Sequence, residues 1–221
     1  MSAKTLFPIT IACLLLAGCR VVPASVRRTL AAPYKPENVY LREPLLPEGI
    51  RRVALLPIPQ NRENAGQAAG AELLEPILLA ELAKRNLFEV IRVSPDEAAN
   101  AAGGPSWSAS DPLPNDFFER LSQTTGCDAV LFASLTVFDA YPPLRTGWKM
   151  RLVDCRQHLT WWAVDETFDA GANPVAAAAE AFARADLNEP NPLLTDTGVL
   201  HSPSRFGQYT AHAIACTLPV R

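Results

Sequence analysis

The chain has 221 residues, 48% of them apolar and 19% charged, with a formal net charge of −3. That apolar fraction is enough for a core, which excludes a wholly disordered chain, and the charge excludes a general nucleic-acid binder. The length suits one globular domain with appendages, and 20 prolines against 11 glycines indicate short, punctuated elements or a stiffened tether.

Lys4 is a minimal positive start, and Leu6 to Ala17 form an apolar run well short of the ~20 residues of a spanning helix. The run ends in Leu16-Ala17-Gly18-Cys19, small residues ahead of a cysteine, which resembles a bacterial lipobox. The resemblance implies cleavage before Cys19 and acyl chains of the palmitate type on its thiol and new amine. Residues 1–18 are then a lipoprotein signal peptide, and the mature chain is held to a membrane through Cys19. Several acyl chains, at ~0.8 kcal/mol per buried CH₂, make such an anchor stable. Arg20 follows the cysteine, with no aspartate there to signal inner-membrane retention. This implies the outer membrane of a Gram-negative envelope, with the domain facing the periplasm.

With Cys13 in the signal and Cys19 lipidated, Cys127, Cys155 and Cys216 remain. Three thiols in an oxidising compartment allow one disulfide and one orphan, or three small buried hydrophobes. No CxxC or Cys/His cluster suggests a metal.

Residues 19–51 hold the lipidated cysteine and a proline-bearing segment without sustained periodicity, a tether reaching at most ~100 Å when extended. From Arg20 to Arg52 there are seven basic residues against three acidic ones, whereas 53–221 holds 12 basic and 20 acidic. The arm is therefore basic and the domain acidic. Either the arm lies along anionic lipid or wall polymer, or it is a soluble spacer with scattered arginines.

Residues 52–221 follow an α/β pattern. Val53-Ala54-Leu55-Leu56, closed by Pro57 and Pro59, predicts a buried strand, and Asn61 to Gly70 a polar loop. Leu73, Leu74, Ile77, Leu78 and Leu82 recur at helical spacing, with Glu72, Glu75, Glu81 and Lys84 off that face and Pro76 expected to kink the helix or start it late. Phe88 to Val93 predicts a second strand. Ser94-Pro95-Asp96-Glu97 then supplies a cap, a first-position proline and first-turn acids for a helix. Residues 101–114 form a Gly/Ser/Pro-rich loop whose Trp107 is either a satellite of the core or an exposed contact. A short helix from Asn115 ends at Gly126.

Ala129 to Tyr141, the alternating stretch around Trp148, Met150 and Leu152, and Leu159 to Phe168 predict a three-strand antiparallel meander. Asn173-Pro174 and Ser202-Pro203 repeat the cap-plus-proline device for two final helices. The order implies a mixed sheet, parallel in its first half with an antiparallel extension and helices packed on it.

Arg52-Val53-Ala54-Leu55-Leu56-Pro57, the long helix, Phe88-Glu89-Val90-Ile91 and Gly126-Cys127-Asp128-Ala129-Val130-Leu131 together resemble a group of bacterial envelope domains. The group includes the CsgG-like curli-secretion lipoproteins, the LpoB-like activators of penicillin-binding proteins and the amino-terminal domain of TolB. Tyr141 to Arg145, Leu152 to Asp154, Trp162 to Ala170 and Ser202 to Phe206 resemble uncharacterised lipoproteins of that group. The resemblance spans roughly 50–218 and implies an α/β sandwich. It does not select a function, because members differ in role.

No nucleophile elbow, zinc-binding HExxH, P-loop or dinucleotide fingerprint occurs in the mature chain, and no cofactor is implied. His158 beside Asp154 and Cys155 lacks a pocket, and His201 serves a helix start. Asp165 and Glu166 are adjacent strand residues facing opposite ways. The expectation is a non-enzyme. Trp148, Trp161 and Trp162, bordered by Lys149 and Arg151, gather aromatic surface on the meander. Either the chain's own helices cover them or they form a protein-contact patch. These readings give a lipid-anchored periplasmic interaction domain in envelope assembly. The alternative is an oligomerising subunit of an outer-membrane secretion or transport complex, a CsgG-like homo-oligomer.

Overall fold

A computed structural model describes residues 34–60, 64–108, 110–187 and 198–221. Its signal-peptide and anchor expectations, Cys19 included, lie outside the described residues. Strands β1 (Val39–Leu41), β2 (Arg52–Leu55), β3 (Glu89–Arg92), β4 (Ala129–Asp139), β5 (Arg145–Asp154) and β6 (Thr160–Asp169) form one six-stranded sheet in the order β1-β6-β5-β4-β2-β3. β2 pairs in parallel with β3 and β4, while β4, β5, β6 and β1 pair antiparallel. This is the expected mixed α/β sheet, parallel first and a meander after.

Among the described residues five helices flank it: α1 (Ala65–Lys84), α2 (Pro95–Ala102), α3 (Phe117–Thr125), α4 (Asn173–Leu187) and α5 (Pro203–Ala215). The larger core lies on one face, where Leu74, Leu78, Phe206 and Ile214 meet Leu131, Met150, Trp148 and Phe168. The smaller lies on the other, where α2 and α3 bring Ala98, Phe117 and Leu121 onto Ala54, Val130, Phe132 and Val153. Trp107 packs edge-on against Phe117, with centroids 5.5 Å apart, as a satellite of this second core.

Local signals account for the helix starts. Ser94 and Glu97 form a reciprocal capping box with Pro95 opening α2, and Ser202 caps α5 ahead of Pro203. Gly126 ends α3 at φ +68°, a left-handed conformation that costs glycine nothing.

Three expectations are corrected. The segment before residue 52 is not all tether: β1 pairs with β6, and Leu46 and Ile50 are buried in the larger core. The folded unit therefore includes residues from Tyr34. Its Pro-rich composition hid a strand only three residues long.

α1 begins at Ala65 rather than beyond Gly70, because the Asn64 side chain accepts the Gln67 N–H and caps the first turn. The helix also runs through Pro76. Both Pro76 and Glu72, whose carbonyl loses its partner, are exposed residues.

Glu81 is not off the inner face. It is 2% exposed between α1 and α5, and its burial is sustained by hydrogen bonds from Lys84, Gln208 and His212.

Candidate functional site

The α2–α3 layer stops short of the meander's far half, and among the described residues that half of the sheet presents an uncovered face. Side chains on it follow from strand register. Tyr40, Ala163, Arg151 and Phe132 form one cross-strand row; Asp165, Lys149 and Ser134 form the next. Phe132 closes the second core, and the Arg151 guanidinium lies 5.6 Å from its ring centre, so Arg151 marks the boundary between covered and open sheet.

Beyond that boundary the face is polar and solvated. Tyr40 is 51% exposed, and Lys149 and Asp165 form an open ion pair at 3.9 Å, of the kind worth ~0–1 kcal/mol. A shallow groove of about 230 Å³ runs over Tyr40, Lys149, Arg151 and Asp165 to Ser110 of the loop before α3. At its floor the Arg151 Nε is buried without a hydrogen-bond partner among the described residues.

The sequence-predicted contact residues divide. Lys149 and Arg151 are on this face. Trp148 and Trp162 are completely buried against the helices, and their indole N–H groups donate to Thr210 and Thr217, each at 3.0 Å. Neither is a surface contact. Alternation sends position 148 to the core with Met150 and Leu152, and α5 then covers it. Trp161 is the extra residue of a bulge between β5 and β6, half-buried, with the Arg42 guanidinium 5.7 Å from its ring. Tyr40 and Asp165 were missed as members of the face. The signal for Tyr40 was the β-prone triplet Val39-Tyr40-Leu41 between polar neighbours.

Other candidate groups are placed away from one another. Asp165 and Glu166 point to opposite faces. Glu166 accepts from Tyr34 Oη at 2.7 Å and from the Glu37 and Asn38 backbone N–H groups at 2.9 and 3.2 Å. His158 stacks on Phe118, with centroids 4.7 Å apart, while Cys155 turns inward, its sulfur 3.7 Å from that of Cys127. Both thiols are free and buried. Their shared hydrogen bond lowers Cys127 and, with burial, raises Cys155. Cys216, in contrast, is exposed.

The larger cavity, about 400 Å³, opens at the carboxyl ends of β2 and β3 among Pro57, Pro76, Pro95 and Pro105. Two of its charged groups are spent on structure: Arg92 binds Glu75 at 2.8 Å, and the other Glu75 oxygen accepts from the Ile58 N–H, while Glu72 at the rim is exposed. Among the described residues no group of three His, Cys, Asp or Glu side chains is placed to hold a metal, and no helix is long and apolar enough to cross a membrane.

The class defined by this architecture is an α/β protein with a six-stranded mixed sheet, helices on both faces and, among the described residues, part of one face left open. No protein-family model matches the chain, and no curated protein does. Solved structures do resemble it. The PelC dodecamer from Paraburkholderia phytofirmans is 13% identical, with a TM-score of 0.41, over 76% of this chain and 94% of its own. Lipoprotein GNA1162 from Neisseria meningitidis is 18% identical, with a TM-score of 0.40, over 63% of this chain and 99% of its own. TolB from Acinetobacter baumannii is 13% identical, with a TM-score of 0.31, over 70% of this chain and 32% of its own.

Proposed function

We propose that this chain is a non-enzymatic interaction domain of the bacterial cell envelope. On this reading it is lipid-anchored at Cys19 to the outer membrane and binds a protein partner in the periplasm through the open half of its sheet. The observation that carries the interaction reading is the Tyr40–Lys149–Arg151–Asp165 face, left open among the described residues, with its shallow groove. The address is supported by Leu16-Ala17-Gly18-Cys19 at the end of a short apolar run.

Because the fold takes up the chain from Tyr34, the stretch from Cys19 to the domain is short, with a contour of at most ~50 Å. A domain so tethered meets partners near the membrane at high effective concentration. Cell fractionation of a Cys19→Ala variant tests the anchor: release from the membrane is expected, and unchanged retention refutes it. A photocrosslinking residue at Tyr40 or Lys149 tests the face in intact cells. One recurrent envelope protein captured from both positions is the expected result, and crosslinks to lipid alone refute it. Crosslinks between copies of the chain transfer the face to self-assembly, the secretion-subunit alternative.

A further inference from the structure

The carboxyl end of α5 carries a relay that the interaction surface does not use. Cys216 is the C-cap residue, its N–H bonded to the His212 carbonyl at 2.9 Å. Within the same turn the Cys216 sulfur lies 3.5 Å from His212 Nε2, and His212 Nδ1 lies 3.2 Å from Glu81 Oε2. Glu81 is 2% exposed and is fixed through its other oxygen by Lys84 at 2.6 Å and Gln208 at 3.3 Å. From α4, Phe182 covers the imidazole with ring centroids 4.8 Å apart.

This geometry selects a tautomer. A buried carboxylate can only accept, so Nδ1 carries the proton and Nε2 is left to take one from the thiol. The resulting thiolate–imidazolium pair is held in place by a group outside the solvent. The hydrogen bond to His212 pulls Cys216 below its ordinary value against the opposing effect of burial, and Arg85 adds to it while Glu81 opposes it. The reciprocal bond raises His212, aided by Glu81. A helix carboxyl end repels an anion, so the helix itself does not supply this stabilisation. The imidazole does, with Arg85. The Arg85 Nε is also buried without a hydrogen-bond partner among the described residues.

We propose that Cys216, with His212 as its base and Glu81 positioning the imidazole, is a reactive thiol that takes up small carboxylate-bearing disulfides by exchange. The Cys216 sulfur attacks one sulfur of the disulfide and a new S–S bond forms. The original S–S bond breaks with its electron pair on the departing thiolate, which takes the proton from His212 Nε2. One disulfide and one thiol enter, one mixed disulfide and one thiol leave, and no further oxidant is required. Arg85 favours the anionic reagent. This inference does not rest on the envelope reading.

The test uses the detergent-solubilised full chain with oxidised glutathione, or with the cationic disulfide cystamine, from about pH 5 to about pH 9, each cysteine being followed by peptide mass. Cys216 is expected to react at least about ten-fold faster than buried Cys127 and Cys155 at neutral pH, with a pH midpoint below that of Cys216 in the urea-unfolded chain. Oxidised glutathione is expected to outpace cystamine. His212→Gln is expected to slow Cys216 about ten-fold at pH 7 and to move the midpoint upward. Equal midpoints in the native and unfolded chain overturn the proposal whether or not the variant folds. A folded His212→Gln protein with an unchanged profile overturns the role of the base, and equal rates for the two reagents overturn the anion preference.

Discussion

Trp148 on β5 donates its indole N–H to Thr210 Oγ1 on α5 at 3.0 Å, and the same hydroxyl donates onward to the Gly207 carbonyl at 2.9 Å. Both residues are fully buried. The device repeats seven residues later, where Trp162 donates to Thr217 at 3.0 Å and Thr217 to the Ile214 carbonyl at 2.7 Å. Two tryptophans on neighbouring strands are thus tied, one to α5 and one to the turn that follows it, by the same two-step relay. The large apolar rings are buried without stranding their polar atoms.

Thr210→Val keeps the shape and removes the acceptor, leaving the Trp148 N–H buried and unpaired. A loss of about 1–3 kcal/mol is expected in urea unfolding followed by tryptophan fluorescence. The double variant Trp148→Phe/Thr210→Val is expected to cost less in total than the sum of the two single changes. Strict additivity would remove the relay as the explanation.

Pro76 interrupts the hydrogen-bond ladder of α1 at an exposed position. Pro76→Ala restores an N–H aimed at the Glu72 carbonyl, against a smaller entropic loss from freeing the unfolded chain. A net gain of about 1–3 kcal/mol is expected. The check is the thermal midpoint by circular dichroism, which must rise. A fall would mean that the proline is packed rather than tolerated.

Much of this architecture was legible because local chemistry and tertiary structure agree. The cap at Ser94, the stop at Gly126 and the alternation of Trp148, Met150 and Leu152 each act within a few residues. The failures share one cause: they are set by distant partners. Val39–Leu41 is a strand only because β6 offers an edge, and Glu81 is buried only because His212 and Gln208 arrive from α5. The open face suffered likewise. Lys149 and Arg151 were identified from the alternating strand, but their neighbour Tyr40 lies across β6, and a tryptophan's burial depends on which helix comes to cover it.

Gly147 sits where the β4 bulge crosses β5, and a methyl group there would meet Thr136 Oγ1, the Val137 backbone nitrogen at 3.0 Å and Thr167 Oγ1 at 3.1 Å. Hydroxyls can rotate, but the backbone nitrogen cannot retreat without opening the β4–β5 ladder. Gly147→Ala is expected to destabilise by about 1–3 kcal/mol and to raise amide exchange at Thr136 and Val137. Unchanged exchange at those two amides would show that the strands have room to spread.

Glu166 docks the amino-terminal segment of the fold through one carboxylate. Partial burial pushes its pKa up, but the Tyr34 hydroxyl and the N–H groups of Glu37, Asn38 and Thr167 outweigh this and hold it below the ordinary carboxylate value. The reciprocal partner, Tyr34, is raised well above a free phenol by burial and by the same carboxylate. A carboxyl with a depressed folded pKa is protonated more readily when unfolded. Its contribution is therefore complete above the unfolded value of ~4.3 and is lost as pH falls through the folded one. Protection of the Glu37 and Asn38 amides against hydrogen exchange is expected to fade over that acid window while the β4–β5 amides stay protected. Glu166→Ala is expected to abolish that protection at neutral pH and to expose residues 34–41 to proteolysis. Persistence of both amides in the variant would assign the docking to β1 pairing alone.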